Sequence, residues 1–146
     1  MKLGHGAWIL VGDGEKALFL VNQGDATHPV LETLRVMENH NPPSGEQAAD
    51  SPGRMHDGPG PHRSAVQNTD WHEIEKERFA KEVAEFLYKA AYENRYSKLV
   101  VAAPPKTLGD LRKEFHKEVQ ERIIAEIDKD FTNQPPYEIE KHLAAA

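Results

Sequence analysis

The residues of this chain best suited to chemistry crowd into one stretch. Arg54, His56, Asp57, His62, Arg63, Gln67, Asp70, His72 and Glu73 lie within twenty positions, among glycines and prolines and just ahead of the longest helical pattern. Histidines with carboxylates could ligate a cation or exchange protons near neutral pH. Arginines with histidines could instead grip RNA phosphates or an acidic protein surface. Spacing argues against the metal: no pair stands at a recognised ligand spacing, and His72-Glu73 is followed by Ile74-Glu75-Lys76, without the second histidine of a zincin helix. Ser44, Ser51, Ser64 and Ser97 have no nucleophile-elbow context, and the absence of cysteine removes every thiolate chemistry. A phosphate cradle is weak as well, because Gly12-Asp13-Gly14 precedes no helix and the glycines of the stretch alternate with prolines, which lack N–H donors. Binding is what remains, with Arg54, His56, His62, Arg63 and Gln67 as the contact residues.

The rest of the chain must position them. At 146 residues and 16.4 kDa it is the size of one domain, residues 1–146, carrying a long insertion. Its 24 acids outnumber 18 bases, for a formal net charge of −6, so its long-range field repels bare nucleic acid. Any RNA contact has to be local or assisted by a partner protein. The opening MKLGHGAWILVGDG is too short and too interrupted by glycine for a signal segment or a membrane span. The expectation is a soluble cytoplasmic protein with no membrane partner and no cofactor.

Three strands open the pattern. Ala7-Trp8-Ile9-Leu10-Val11 and Ala17-Leu18-Phe19-Leu20-Val21 are continuous apolar runs around a Gly-Asp-Gly turn, which suggests a hairpin covered on both faces. Val30, Leu34 and Val36 then alternate with Glu32, Arg35 and Glu38, predicting an edge strand with one wet face. Residues 39–70 hold five of the ten prolines and four of the ten glycines, with Met55 and Val66 their only sizeable apolar side chains. Such a segment cannot bury enough surface to order itself, and two arginines against four acids leave it negative, so it reads as a long flexible loop.

Asp70, with Glu73 three residues on, has the spacing of a capping box that starts a helix running to about Arg95, its apolar stripe formed by Ile74, Phe79, Val83, Phe86, Leu87 and Ala90. Tyr88, Tyr92 and Tyr96 recur along it and border the core, and Trp71 sits just inside its start. Leu99-Val100-Val101-Ala102-Ala103 is a buried strand reached through that helix and therefore parallel to its neighbour. A short helix over 107–115 presents Leu108, Leu111 and Phe115. Val119, Ile123, Ile127 and Phe131 at four-residue steps then argue helix, while Ile123, Ala125 and Ile127 would serve a strand. Periodicity leans to helix there. Pro135-Pro136 pre-sets a last helix carrying Ile139 and Leu143. The order β-β-β, loop, α-β-α, β or α, α describes an α/β layer with a mixed sheet.

AWILVGDGEKALFLVNQG, the pieces DSPGRMHDG and HRSAVQNTDWHEIEKERFAKEVAEFL, and the close from KLVVAAPPKTLGDLRKEF onward resemble the bacterial host attachment protein family. That family is similar to the middle domain of the archaeo-eukaryotic peptide-chain release factors and their ribosome-rescue relatives. The resemblance covers nearly the whole chain. It implies an RNase H-like mixed five-stranded sheet, three antiparallel strands then two parallel, with helices on its faces, the loop after strand three, and residues 121–128 as strand five. It also implies that the loop lies where release factors carry the Gly-Gly-Gln tip that serves the peptidyl-tRNA ester. No Gly-Gly-Gln occurs here: Gly58-Pro59-Gly60-Pro61 is the nearest text, and Gln67 follows Val66. The resemblance thus implies a non-catalytic module whose partner is the ribosome, RNA or another protein. Two alternatives stand beside it: a metal-dependent nuclease or hydrolase built on Asp13 and the loop histidines, and a factor in bacterial attachment to host cells, as the family's name suggests.

Overall fold

The computed structural model describes residues 2–39 and 61–145, with side chains described throughout except at residues 61–70. Five strands form one sheet: β1 (Trp8–Gly12), β2 (Lys16–Asn22), β3 (Leu31–Glu38), β4 (Leu99–Ala102) and β5 (Ile123–Ile127), in the spatial order β3-β2-β1-β4-β5. β1 pairs antiparallel with β2 and β2 with β3, whereas β4 runs parallel to both β1 and β5. This is the mixed sheet, three antiparallel strands followed by two parallel ones, that the resemblance implied. The helices are α1 (Pro61–Tyr92), α2 (Pro105–Glu114), the single turn α3 (Lys117–Gln120) and α4 (Pro136–Ala145).

Every residue of β1 and β4 is buried, as continuous apolar runs in central strands require. The pleat divides their side chains between two cores. Trp8, Leu10, Phe19, Leu99 and Val101 face α1, α2 and α3 through Phe79, Val83, Leu87, Leu111 and Val119. Ile9, Val11, Leu20, Val100 and Ala102 face α4 through Ile139 and Leu143, with Phe131 beside them. α1 therefore carries the chain from β3 across one face to β4, and α4 closes the other.

Two expectations change, and one element that periodicity left between helix and strand takes the strand the resemblance implied. β3 is wetter than its alternation predicted: Leu34 and Val36 are 39% and 45% exposed, because α4 reaches only the start of this edge, where Glu140 Oε2 accepts the Leu31 N–H at 2.8 Å. β5 is a strand although four-residue spacing leaned to helix; pairing with β4 supplies its backbone bonds, and Ile123, Ala125 and Ile127 are its half-buried face. α1 begins at Pro61, nine residues before Asp70. Pro61 is pre-organised for a first helical turn, and residues 62–69 contain neither glycine nor proline to interrupt it. The capping-box spacing at Asp70 and Glu73 is thus internal to a helix, and the loop expected over 39–70 gives up residues 61–70.

α1 ends by its own chemistry. Asn94 adopts φ +57°, and the N–H groups of Asn94 and Arg95 return to the Ala91 and Ala90 carbonyls, a left-handed stop that asparagine tolerates better than most residues. Tyr96 lies beyond the helix, buried, its hydroxyl donating to the Leu87 carbonyl at 2.8 Å and its ring stacked on Trp8. Of the other tyrosines expected to border the core, Tyr88 stacks on His116 while Tyr92 is exposed.

One buried polar residue ties the sheet's end together. Asn22 is 0% exposed; its side-chain N–H₂ donates to the carbonyls of Leu3, Gly4 and Asp25, and its Oδ1 accepts the N–H groups of Gly24 and Val30. The β2–β3 connection closes tightly around it, since a Cβ on Gly24 would meet the His28 carbonyl oxygen at 2.1 Å. Asn22→Ala should lower unfolding stability by about 2–3 kcal/mol in urea titrations, because it strands several buried partners. Burial pushes the Tyr96 phenol up from 10.0 to about 12. The folded chain therefore holds this proton where the unfolded chain has released it. Stability from this group is complete below pH 10 and falls as pH rises toward 12, a decline that denaturation of Tyr96→Phe should not show.

Candidate functional site

The stretch rich in arginine and histidine falls between β3 and α1 and over the first turns of that helix. Arg54 and His56 lie outside the described residues. His62, Arg63 and Gln67 belong to the first turns of α1, where the backbone is described, and Arg63 and Gln67 stand about one helical turn apart. A helix of 32 residues is about 48 Å long. A strand of seven residues spans about 23 Å, so α1 cannot be coextensive with the sheet it crosses. Among its described side chains the buried apolar stripe begins at Phe79.

Ion pairs support the helix where that stripe fails. Lys106 Nζ contacts both oxygens of the Glu73 carboxylate at 2.7 Å, joining α1 to the first turn of α2, and this ammonium holds the Glu73 carboxyl below its ordinary range. Glu75, 7% exposed, is gripped by Arg78, which also reaches Glu82 at 2.9 Å. His72 is exposed and Trp71 half-buried, one turn before Glu75. The recess between α1, α2 and the β1–β2 turn, lined by Lys76, Phe79, Thr107 and Asp110, leaves about 10 Å³, room for one water molecule and no organic ligand.

Asp13, the carboxylate of the hydrolase alternative, is engaged in its own turn. Its Oδ1 accepts the N–H groups of Glu15 and Lys16 at 2.9 and 2.8 Å, closing the hairpin, while Gly14 at φ +93° makes the bend. Its Oδ2 lies 3.3 Å from the Thr132 hydroxyl, which also bonds Asp130 Oδ1. The hydroxyl has one proton for two carboxylates, and the shorter contact to Asp130 takes it. Sequence reasoning missed this pairing, because nothing local announces that residues 13 and 132 meet. Among the described residues no three His, Cys, Asp or Glu side chains converge as a metal site. No described helix is long and apolar enough to cross a membrane.

With this geometry in place, comparison with known proteins adds a decisive observation. The sequence model of the bacterial archaeo-eukaryotic release factor family 12 matches residues 6–143. The chain belongs to that family. No curated protein matches it significantly. The match spans both cores and the whole sheet, so the release-factor relationship rests on the fold-bearing sequence and not on one motif. It carries the release-factor part of the expected kinship; attachment to host cells is outside its description. Gly-Gly-Gln does not occur in the sequence.

The Asp13–Thr132–Asp130 arrangement is testable on its own. Thr132 is 4% exposed. Thr132→Val keeps its shape but leaves two carboxylates facing a methyl group, and should cost about 1–2 kcal/mol in thermal or chemical unfolding. A neutral result would show that the hydroxyl's bond to Asp130 contributes nothing to the stability of the segment after β5.

Proposed function

We propose that this protein is a non-catalytic release-factor-like module that associates with the ribosome through RNA, using the segment between β3 and α1 as its contact element. Family membership over residues 6–143 is the observation that carries the reading. Two further facts support it. His62, Arg63 and Gln67 are on a helix whose far half is anchored in the core, so this side of the contact element has a rigid footing. Arg54 and Arg63 supply guanidinium forks suited to phosphate, with His56 and His62 as further donors. Hydrolysis of the peptidyl-tRNA ester is excluded from the reading because the sequence lacks the glycine pair that lets backbone approach an RNA end closely.

The net charge of −6 makes the contact local, not field-driven. Cytoplasmic residence belongs to the same proposal. Co-sedimentation with ribosomes at low salt is the expected outcome, and Arg54→Ala with Arg63→Ala should reduce the pelleted fraction several-fold. Peptide release from peptidyl-tRNA should not accelerate when the protein is added. Native protein that stays in the supernatant at low salt would end this reading.

A further inference from the structure

Five arginines have described side chains, and three of them are fully engaged. Arg78 is held by Glu75 and Glu82, and Arg112 by Glu126. Arg122 donates to the Tyr96 and Ala91 carbonyls at 2.6 and 3.2 Å, over the C-terminal end of α1. Arg35 and Arg95 meet no acid among the described residues. Both line the same depression of about 230 Å³ between β3 and the end of α1, together with Lys89, Phe86, Ala90 and Glu93. Glu93 forms no ion pair with the three cations.

Aromatic rings fix these cations in place. The Arg35 guanidinium lies 4.9 Å from the Phe86 ring centre and that of Arg95 5.4 Å from Trp8; the two rings are themselves stacked at 6.2 Å. The left-handed Asn94 turns the chain so that Arg95 comes back over Trp8. Arg122 and the N–H groups of Asn94 and Arg95 occupy the Ala91 and Ala90 carbonyls near the end of α1. Three cations against the single carboxylate of Glu93 leave the depression net positive on an acidic chain, and an anion relieves their mutual repulsion.

We propose that the Arg35–Lys89–Arg95 depression binds the phosphodiester backbone of unpaired RNA, as a second contact point separate from the β3–α1 segment. The depression is smaller than a site for a drug-sized molecule but matches a phosphate with its sugar. Guanidinium forks match phosphate, and the guanidinium planes of Arg35 and Arg95, held over rings, are platforms for unpaired bases. An acidic peptide would use the forks and leave the guanidinium planes idle. The inference deepens the RNA-associated reading and rests on it.

Fluorescence anisotropy with a labelled oligouridine, on the full chain, tests it. Arg35→Gln, Lys89→Gln and Arg95→Gln combined should weaken binding about tenfold at low salt and flatten the slope of log K against log salt by about 2, three phosphates at roughly 0.7 each. Amide and side-chain resonances of Arg35, Lys89 and Arg95 in the native protein should shift on titration with the same oligonucleotide, a readout independent of any variant's folding. An unchanged slope in the triple variant with no shifts at these residues, while Arg54→Ala with Arg63→Ala abolishes ribosome pelleting, overturns the second contact and leaves the first. A polyglutamate peptide shifting these resonances where oligouridine does not also overturns it. Native protein that binds neither RNA nor ribosomes removes both.

Discussion

The parallel pairing of β1 with β4 is the constraint on which the rest of this molecule depends. Trp8 to Val11 lie opposite Leu99 to Ala102, all eight residues buried, with some ninety positions of chain between them. Parallel strands cannot be joined by a tight turn, so the return must cross a face of the sheet. Here α1 makes the return. Its length, its apolar stripe from Phe79 to Ala91 and its left-handed stop at Asn94 are the means by which β4 reaches the middle of the sheet in register. With the strand pair in place, α2, α3 and β5 assemble on one side of it and the β2–β3 meander on the other.

This topology also explains why chemistry-bearing residues can gather between β3 and α1 without disturbing the fold. Among the described strands β3 is at the edge of the sheet and is mostly exposed. Lengthening a connection at such a point costs only a slowly growing loop-closure entropy. The helix beyond that connection, by contrast, is tied down firmly, by Lys106 on Glu73 and by seven core residues further along. A connecting segment meets a fixed support there, an arrangement common to binding elements.

Charge is distributed by the same logic. The acids outnumber the bases, yet most described arginines are bound to acids or carbonyls that the fold brings to them, as Arg112 is to Glu126 fourteen residues away and Arg122 to the end of α1. Arg35 and Arg95 are the exceptions, and both rest on rings. Local cationic character at the depression between β3 and the end of α1 therefore coexists with a repulsive overall field, and such a field does not steer anions toward it.

Much of the fold was legible because each decisive signal was local. The apolar runs at Trp8, Phe19 and Val100, the turn chemistry of Asp13 and Gly14, and Pro136 at the head of α4 all act within a few residues of themselves. Where local signals conflicted, tertiary pairing decided: residues 123–127 lean helical by spacing and become a strand because β4 offers an open edge. Asp70 looks like a helix cap, but a proline nine residues upstream had already started the helix. The site residues divide in the same way. Sequence alone determined that arginines and histidines cluster after the third strand, and that no Gly-Gly-Gln is among them. That Asp13 meets Thr132, that Asn22 gathers five backbone groups, and that Arg35 and Arg95 share one depression were decided only by tertiary structure. Each of those meetings joins residues remote in sequence, and no period or motif encodes a contact made only when two faces close.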